Sequence, residues 1–190
     1  MSTLWWVRHG PTHRREMIGW TDAPADLSDH AALARLADFL PCNAVVVSSD
    51  LSRAIATADA IVRGRSRLPH EADLRELHFG DWEERTFDEL AETEPELSRK
   101  FLDHPGDIHP PGGESWNMLR SRVDAAADRL ADAGDNIVVV AHFGTILTQI
   151  QRAMGWTAAQ AMQTKVDTLS VTWLHRSGNN WLAEGINHCP

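Results

Sequence analysis

At 190 residues the chain is long enough for one domain with a substantial core and short for two. Its net charge of -9 argues against a nucleic-acid surface, which needs clustered Lys and Arg. The opening Met1-Ser2-Thr3-Leu4 has no charged leader and the apolar run after it breaks at Arg8, so neither a signal peptide nor a membrane span is expected. A single cytoplasmic domain over residues 1–190 is the resulting expectation.

Residues 4–8 form an apolar, strand-type run that delivers Arg8-His9-Gly10 into a Gly-Pro loop. A histidine placed there is aimed at the carboxyl end of a strand, where ligands sit in open α/β sheets, and Gly10 permits close approach. Arg14 and Arg15 follow, able either to meet a second anionic group or to face solvent. A helical pattern covers Ala31 to Leu40, a second strand residues 44–48, and a second helix Leu51 to Val62 with Asp50 as its expected N-cap. Residues 78–114 read as loops of the kind in which substrate specificity lies. Within them, residues 104–114 hold His104-Pro105-Gly106 and Pro110-Pro111-Gly112-Gly113 and read as a loop.

A long helix is expected from Trp116 to Ala133 behind an N-cap at Ser115, and then the strand Ile137-Val138-Val139-Val140-Ala141 ends in His142-Phe143-Gly144. Two strands therefore present two histidines. Strands near 169–175 and 181–187 are joined by Ser177-Gly178-Asn179-Asn180, a tight-turn composition, and their edge could pair between subunits of a homodimer. Together these elements predict an α/β fold: three layers, a doubly wound, mostly parallel sheet with helices on both faces, and an antiparallel C-terminal edge hairpin. The eight Trp suit core or rim packing, and Cys42 and Cys189, far apart in sequence, suit reduced thiols. The remaining histidines show no metal-ligand spacing, and neither a Gly-x-x-x-x-Gly-Lys loop nor Gly-x-Gly-x-x-Gly occurs, so no metal and no cofactor are expected.

Five motifs run in order: Arg8-His9-Gly10; Ser48-Ser49-Asp50-Leu51-Ser52-Arg53-Ala54 with Thr57-Ala58; Leu74-Arg75-Glu76-Leu77-His78-Phe79-Gly80-Asp81-Trp82-Glu83; Gly112-Gly113-Glu114-Ser115; and Ala141-His142-Phe143-Gly144. In that order and spacing the set resembles the histidine phosphatase superfamily, also called phosphoglycerate mutase-like, from residue 4 to about 150. The resemblance implies His9 as a nucleophile that becomes phosphorylated, Arg8, Arg53, His142 and Thr12 around the phosphate, and Glu76 as proton donor. It further implies a metal-independent phosphomonoesterase of the histidine acid phosphatase type, acting on a small phosphorylated substrate such as a sugar phosphate or α-ribazole phosphate.

Residue chemistry agrees with those roles. Guanidinium forks from Arg8 and Arg53 supply paired donors to a phosphomonoester dianion. Positive charge around His9 should keep its imidazole neutral and nucleophilic, and His142 suits a donor better than an attacker. Protonating a leaving alcohol requires a neutral carboxylic acid, for which Asp73, Glu83 and Glu84 are rivals to Glu76. Glu114 and Ser115 read as loop and cap residues. The chain departs from the family pattern at Arg15, often Asn, and over Ala31-Ala32-Leu33-Ala34-Arg35, often a Gly-x-x-Gln-Ala helix start. It also lacks an adjacent-arginine clamp after Trp82, where Arg99-Lys100 is the only neighbouring basic pair. Hydrolysis is therefore preferred over two alternatives, a cofactor-dependent phosphoglycerate mutase and a catalytically silent phosphate-binding module.

Overall fold

A computed structural model describes residues 2–190. Five strands, β1 (Ser2–Arg8), β2 (Val45–Ser48), β3 (Asn136–Ala141), β4 (Val171–Ser177) and β5 (Asn180–His188), form one sheet in the order β2-β3-β1-β4-β5. The pairings of β2 with β3 and of β3 with β1 are parallel, whereas β4 and β5 run antiparallel and make the C-terminal edge. The sheet is mixed, with its parallel part at the centre. Gly178, in the left-handed region at φ 62°, turns the hairpin where a side chain would be strained, and Ser177 pairs with Asn180 across it.

Helices cover both faces because the central strands are apolar on both sides. Leu4 and Trp6 of β1 and Ile137, Val139 and Ala141 of β3 point toward α5 (Trp116–Ala133) and α6 (Phe143–Met154). Val7, Val138 and Val140 point the other way, toward α1 (His30–Phe39) and α2 (Ser52–Ile61). Side-chain alternation along an extended chain thus divides the core into two layers.

Three sequence expectations change. Asp50 does not cap α2: Arg75 captures its carboxylate with two bonds of 2.7 and 2.6 Å, Leu51 becomes the N-cap, and the Ser52 amide turns instead to Asp22. Residues 78–114 are not loop throughout, since α3 (Phe87–Thr93) and α4 (Pro95–Asp103) occupy their middle. Thr86 and Glu89 cap α3 reciprocally and Pro95 opens α4, so both starts carry readable signals. Finally, α6 and the short α7 (Ala158–Met162) follow β3 where no helix was expected. α6 is buried from Gly144 to Gln151, polar Thr and Gln included, so it packs as a core helix. Its C-terminal signal is clear, with Gly155 left-handed at φ 64°. Ser115 caps α5 as expected, accepting from the Met118 amide, and residues 104–114 are irregular. No helix among the described residues is long and apolar enough to cross a membrane.

Candidate active site

Register brings the two histidines together. Arg8 lies opposite Ala141 in the parallel β1–β3 pair, so the next residues, His9 and His142, leave the sheet side by side at its carboxyl end. Their ring centroids are 5.0 Å apart, close to the roughly 4.8 Å spacing of neighbouring strands. His9 is 7% exposed and His142 fully buried.

The His9 ring is oriented by its own loop. Its Nδ1 lies 2.7 Å from the Gly10 carbonyl, which can only accept, so Nδ1 carries the hydrogen and Nε2 keeps its lone pair. The Gly10 amide in turn donates to Thr57 Oγ, and that hydroxyl donates to the Arg53 carbonyl, tying the loop to α2. A Cβ at residue 10 would meet the end of the Leu27 side chain at 2.6 Å and the Asp26 carbonyl at 3.1 Å, so glycine gives this loop its close packing. Burial first, then Arg53 and Arg8, push the His9 imidazole down to about 3 against the opposing hydrogen bond to Gly10. The ring is therefore neutral, although burial contributes more than the positive charge that sequence reasoning emphasised. His142 is also held well below the usual histidine value, by burial first and then by His9, Arg53, Arg122 and Arg8.

Both ring nitrogens of His142 are buried without a protein partner, as is Arg8 Nε. Such groups are rare in folded proteins, and these three atoms are ones that an external group could satisfy. Arg8 extends from the end of β1, with one Nη on the Val166 carbonyl at 2.6 Å and its guanidinium 5.1 Å from the Phe143 ring centre. Arg53, 1% exposed in the first turn of α2, grips the Thr21 and Gly19 carbonyls at 3.0 and 2.7 Å. No protein partner engages its Nε among the described residues. That loop is itself pinned by Glu83, whose carboxylate accepts from the amides of Gly19, Trp20, Thr21 and Phe79. Burial pushes the Glu83 carboxyl up, but these donors outweigh it and hold it below its ordinary value. Burial lowers both Arg8 and Arg53, and the nearby Glu76 carboxylate is the foremost charge acting against that.

Glu76, 9% exposed, receives the Leu77 amide on Oε1 at 2.9 Å and the Gly144 amide on Oε2 at 3.0 Å. His142, the N-cap of α6, has no side-chain bond to the helix, so the Glu76 carboxylate does the capping from another segment. The rival carboxylates are committed elsewhere: Asp73 to Arg129, Glu84 to Arg14, and Glu83 to the loop amides. The backbone under Glu76 is clamped. Arg122 donates to the carbonyls of Asp73, Arg75 and Glu76 and pairs with Glu114 at 2.8 Å, while Trp20 Nε1 reaches the Glu76 carbonyl at 2.8 Å.

The structure thus gathers Arg8, His9, Arg53, Glu76 and His142 at one end of the sheet. Thr12 lies half-buried in the loop beyond Gly10, with no hydrogen bond joining its side chain to the group. Arg14 is ion-paired with Glu84 at 3.0 Å and Arg15 is exposed, so neither belongs to the buried cluster. Sequence reasoning missed Arg122, Trp20 and Glu83 as positioning residues. Nothing in the local pattern around Arg122 distinguishes it from any arginine on a helix surface.

The chain matches the family described as "Histidine phosphatase superfamily (branch 1)" over residues 4–188. It is 34% identical over 158 residues to the Arabidopsis thaliana phosphoglycerate mutase-like protein 4, covering 77% of this chain and 69% of that one. Mycobacterial relatives, 40% identical over 114 residues, are longer proteins of which the chain spans 31%. Among solved structures, Bacillus stearothermophilus YhfR superposes with a TM-score of 0.91 at 26% identity, covering 100% of this chain and 98% of that one. An Escherichia coli protein described as a candidate alpha-ribazole-5'-P phosphatase superposes with a TM-score of 0.85 at 25% identity, covering 98% and 96%.

Proposed function

The chain belongs to the histidine phosphatase superfamily, and from that membership we propose that it is a phosphomonoester hydrolase working through a phosphohistidine on His9. One observation carries the reading. His142 is fully buried with both ring nitrogens unpartnered, directly beside a neutral His9 whose free nitrogen is Nε2.

In the first step Glu76 takes up a proton as the substrate phosphate settles beside it; Nε2 of His9 then attacks phosphorus, the ester P–O bond breaks, and the departing alkoxide takes that proton from Glu76. In the second, the Glu76 carboxylate takes a proton from water, the resulting hydroxide attacks phosphorus, and the N–P bond breaks to release inorganic phosphate and the neutral ring. Arg8, Arg53 and the N–H of His142 hold the equatorial oxygens, where charge spreads as the phosphoryl group moves. Thr12 is assigned to the rim of the phosphate site. The substrate is a small phosphorylated metabolite and the reaction needs no metal; the resemblance puts sugar phosphates and α-ribazole phosphate on the panel to be assayed, beside phosphates of apolar alcohols.

Release of phosphate from an aryl phosphate, together with an acid-quenched phosphoprotein that vanishes in His9→Ala, is the expected result. Turnover that persists in His9→Ala overturns the mechanism, and a folded wild-type protein without turnover or phosphoprotein identifies a silent binding module. The relative's mutase name is tested with 3-phosphoglycerate: free phosphate supports hydrolysis, and isomer exchange without it supports transfer. Arg99 and Lys100 are exposed on α4, which favours neither as a clamp for a second phosphate.

A further inference from the structure

Next to Glu76 lies a cavity of about 170 Å³ whose walls come from five helices, α3 to α7, and the segment before them. Phe87 of α3, Phe101 of α4, Phe143 of α6, Met162 of α7 and Phe79 line it, and Leu102 stands at the rim. Phe87 and Leu102 are 45% and 43% exposed, large apolar groups that a soluble chain ordinarily covers. Glu76 is the one charged residue among those lining it, and Gly144, whose amide binds the Glu76 carboxylate, lines it too.

We propose that this cavity receives the leaving group of the substrate, and that the preferred substrates are phosphomonoesters of apolar alcohols, with one aromatic ring or a short alkyl chain attached directly to the ester oxygen. The inference rests on the phosphatase reading above. An acid that protonates the ester oxygen must touch it, so the carbon skeleton leaves the phosphate beside Glu76, the residue that also lines the cavity. Its size suits one ring, since a cavity of about 150 Å³ lined by Leu, Ile and Phe accepts benzene. Its chemistry rejects other alcohols. A second phosphate or a carboxylate would meet no cation on these walls and would face Glu76, and sugar hydroxyls would be buried without partners.

The test compares n-hexyl phosphate with glycerol 3-phosphate, two primary alkyl esters whose leaving groups differ chiefly in polarity. Wild-type kcat/KM is expected to be at least tenfold higher for the hexyl ester. Leu102→Lys is expected to cut that preference at least threefold, and Leu182→Lys, at an exposed leucine on β5 outside the cavity, to leave it. Equal or reversed preference in the wild type, or a preference untouched by Leu102→Lys, overturns the apolar subsite and leaves the phosphohistidine mechanism standing. Failure to hydrolyse either ester or an aryl phosphate overturns the mechanism itself.

Discussion

Replacing Gly144 with alanine tests whether Glu76 is placed by the start of α6. A Cβ at residue 144 would lie 2.5 Å from Glu76 Oε1 and 3.4 Å from Leu119. The close contact is with the far end of a flexible side chain, so the carboxylate yields rather than the helix. It must retreat by about 0.5–1 Å to regain an ordinary contact, which strains its 3.0 Å bond from the Gly144 amide. Stability changes little: alanine in a helix recovers about 1 kcal/mol over glycine, against about 1.5–3 kcal/mol for a hydrogen bond to a charged group. The net loss of about 0.5–2 kcal/mol lowers Tm by less than about 8 °C in a chain of this size.

Catalysis responds far more, because a misplacement of about 1 Å can reduce rate on the order of 10²-fold. The assay is kcat/KM, which reports steps up to departure of the leaving group, measured on an alkyl phosphate and on an activated aryl phosphate that needs little protonation. Gly144→Ala is expected to lose about 10²-fold on the alkyl ester and much less on the aryl ester, and Glu76→Gln to show the same asymmetry. Wild-type kcat/KM on the alkyl ester, or equal losses on both, would refute the assignment of Glu76 as the acid.

Acid should destabilise the protein through its two site histidines. Their native pKa values lie below the unfolded value of about 6.5, with His9 near 3, so between those limits the unfolded chain binds protons that the native state refuses. Stability is therefore full above pH 6.5 and falls as pH drops, at up to about 1.4 kcal/mol per pH unit for each ring. Urea midpoints between pH 5 and 6.5 should lose roughly one proton's worth of slope in His9→Asn, and an unchanged slope would sink the assignment. Arg122→Leu should cost about 3–5 kcal/mol, because it strands the Glu114 carboxylate and three carbonyls. Denaturant unfolding should then show part of that loss recovered in Arg122→Leu with Glu114→Leu, whereas strict additivity would mean that the pair is not coupled.

Much of the architecture was legible because it rests on local periodicity. The apolar runs of β1 and β3 and the Ser115 cap of α5 each carry their signal within a few residues. Signals for α3, α4 and α7 are present as well, in the Thr86–Glu89 and Thr157–Gln160 caps and in Pro95, but they sit in short helices of five to nine residues. The case of Asp50 is different. Its position suited a helix cap until Arg75, 25 residues away, claimed both carboxylate oxygens, a competition that no local window contains.

By itself the sequence determined which residue types stand at the ends of two strands and in what order the five motifs come. The tertiary structure decided that β3 rather than β2 lies beside β1, and the parallel register between them sets His9 and His142 one strand spacing apart. It also decided which carboxylate serves the site: Glu76 caps α6 from another segment, while Glu83 spends itself on loop amides. The reason is physical. Propensity and capping act over a turn or two of chain, whereas charge, burial and the filling of a cavity depend on groups that only the folded packing brings within a few ångströms.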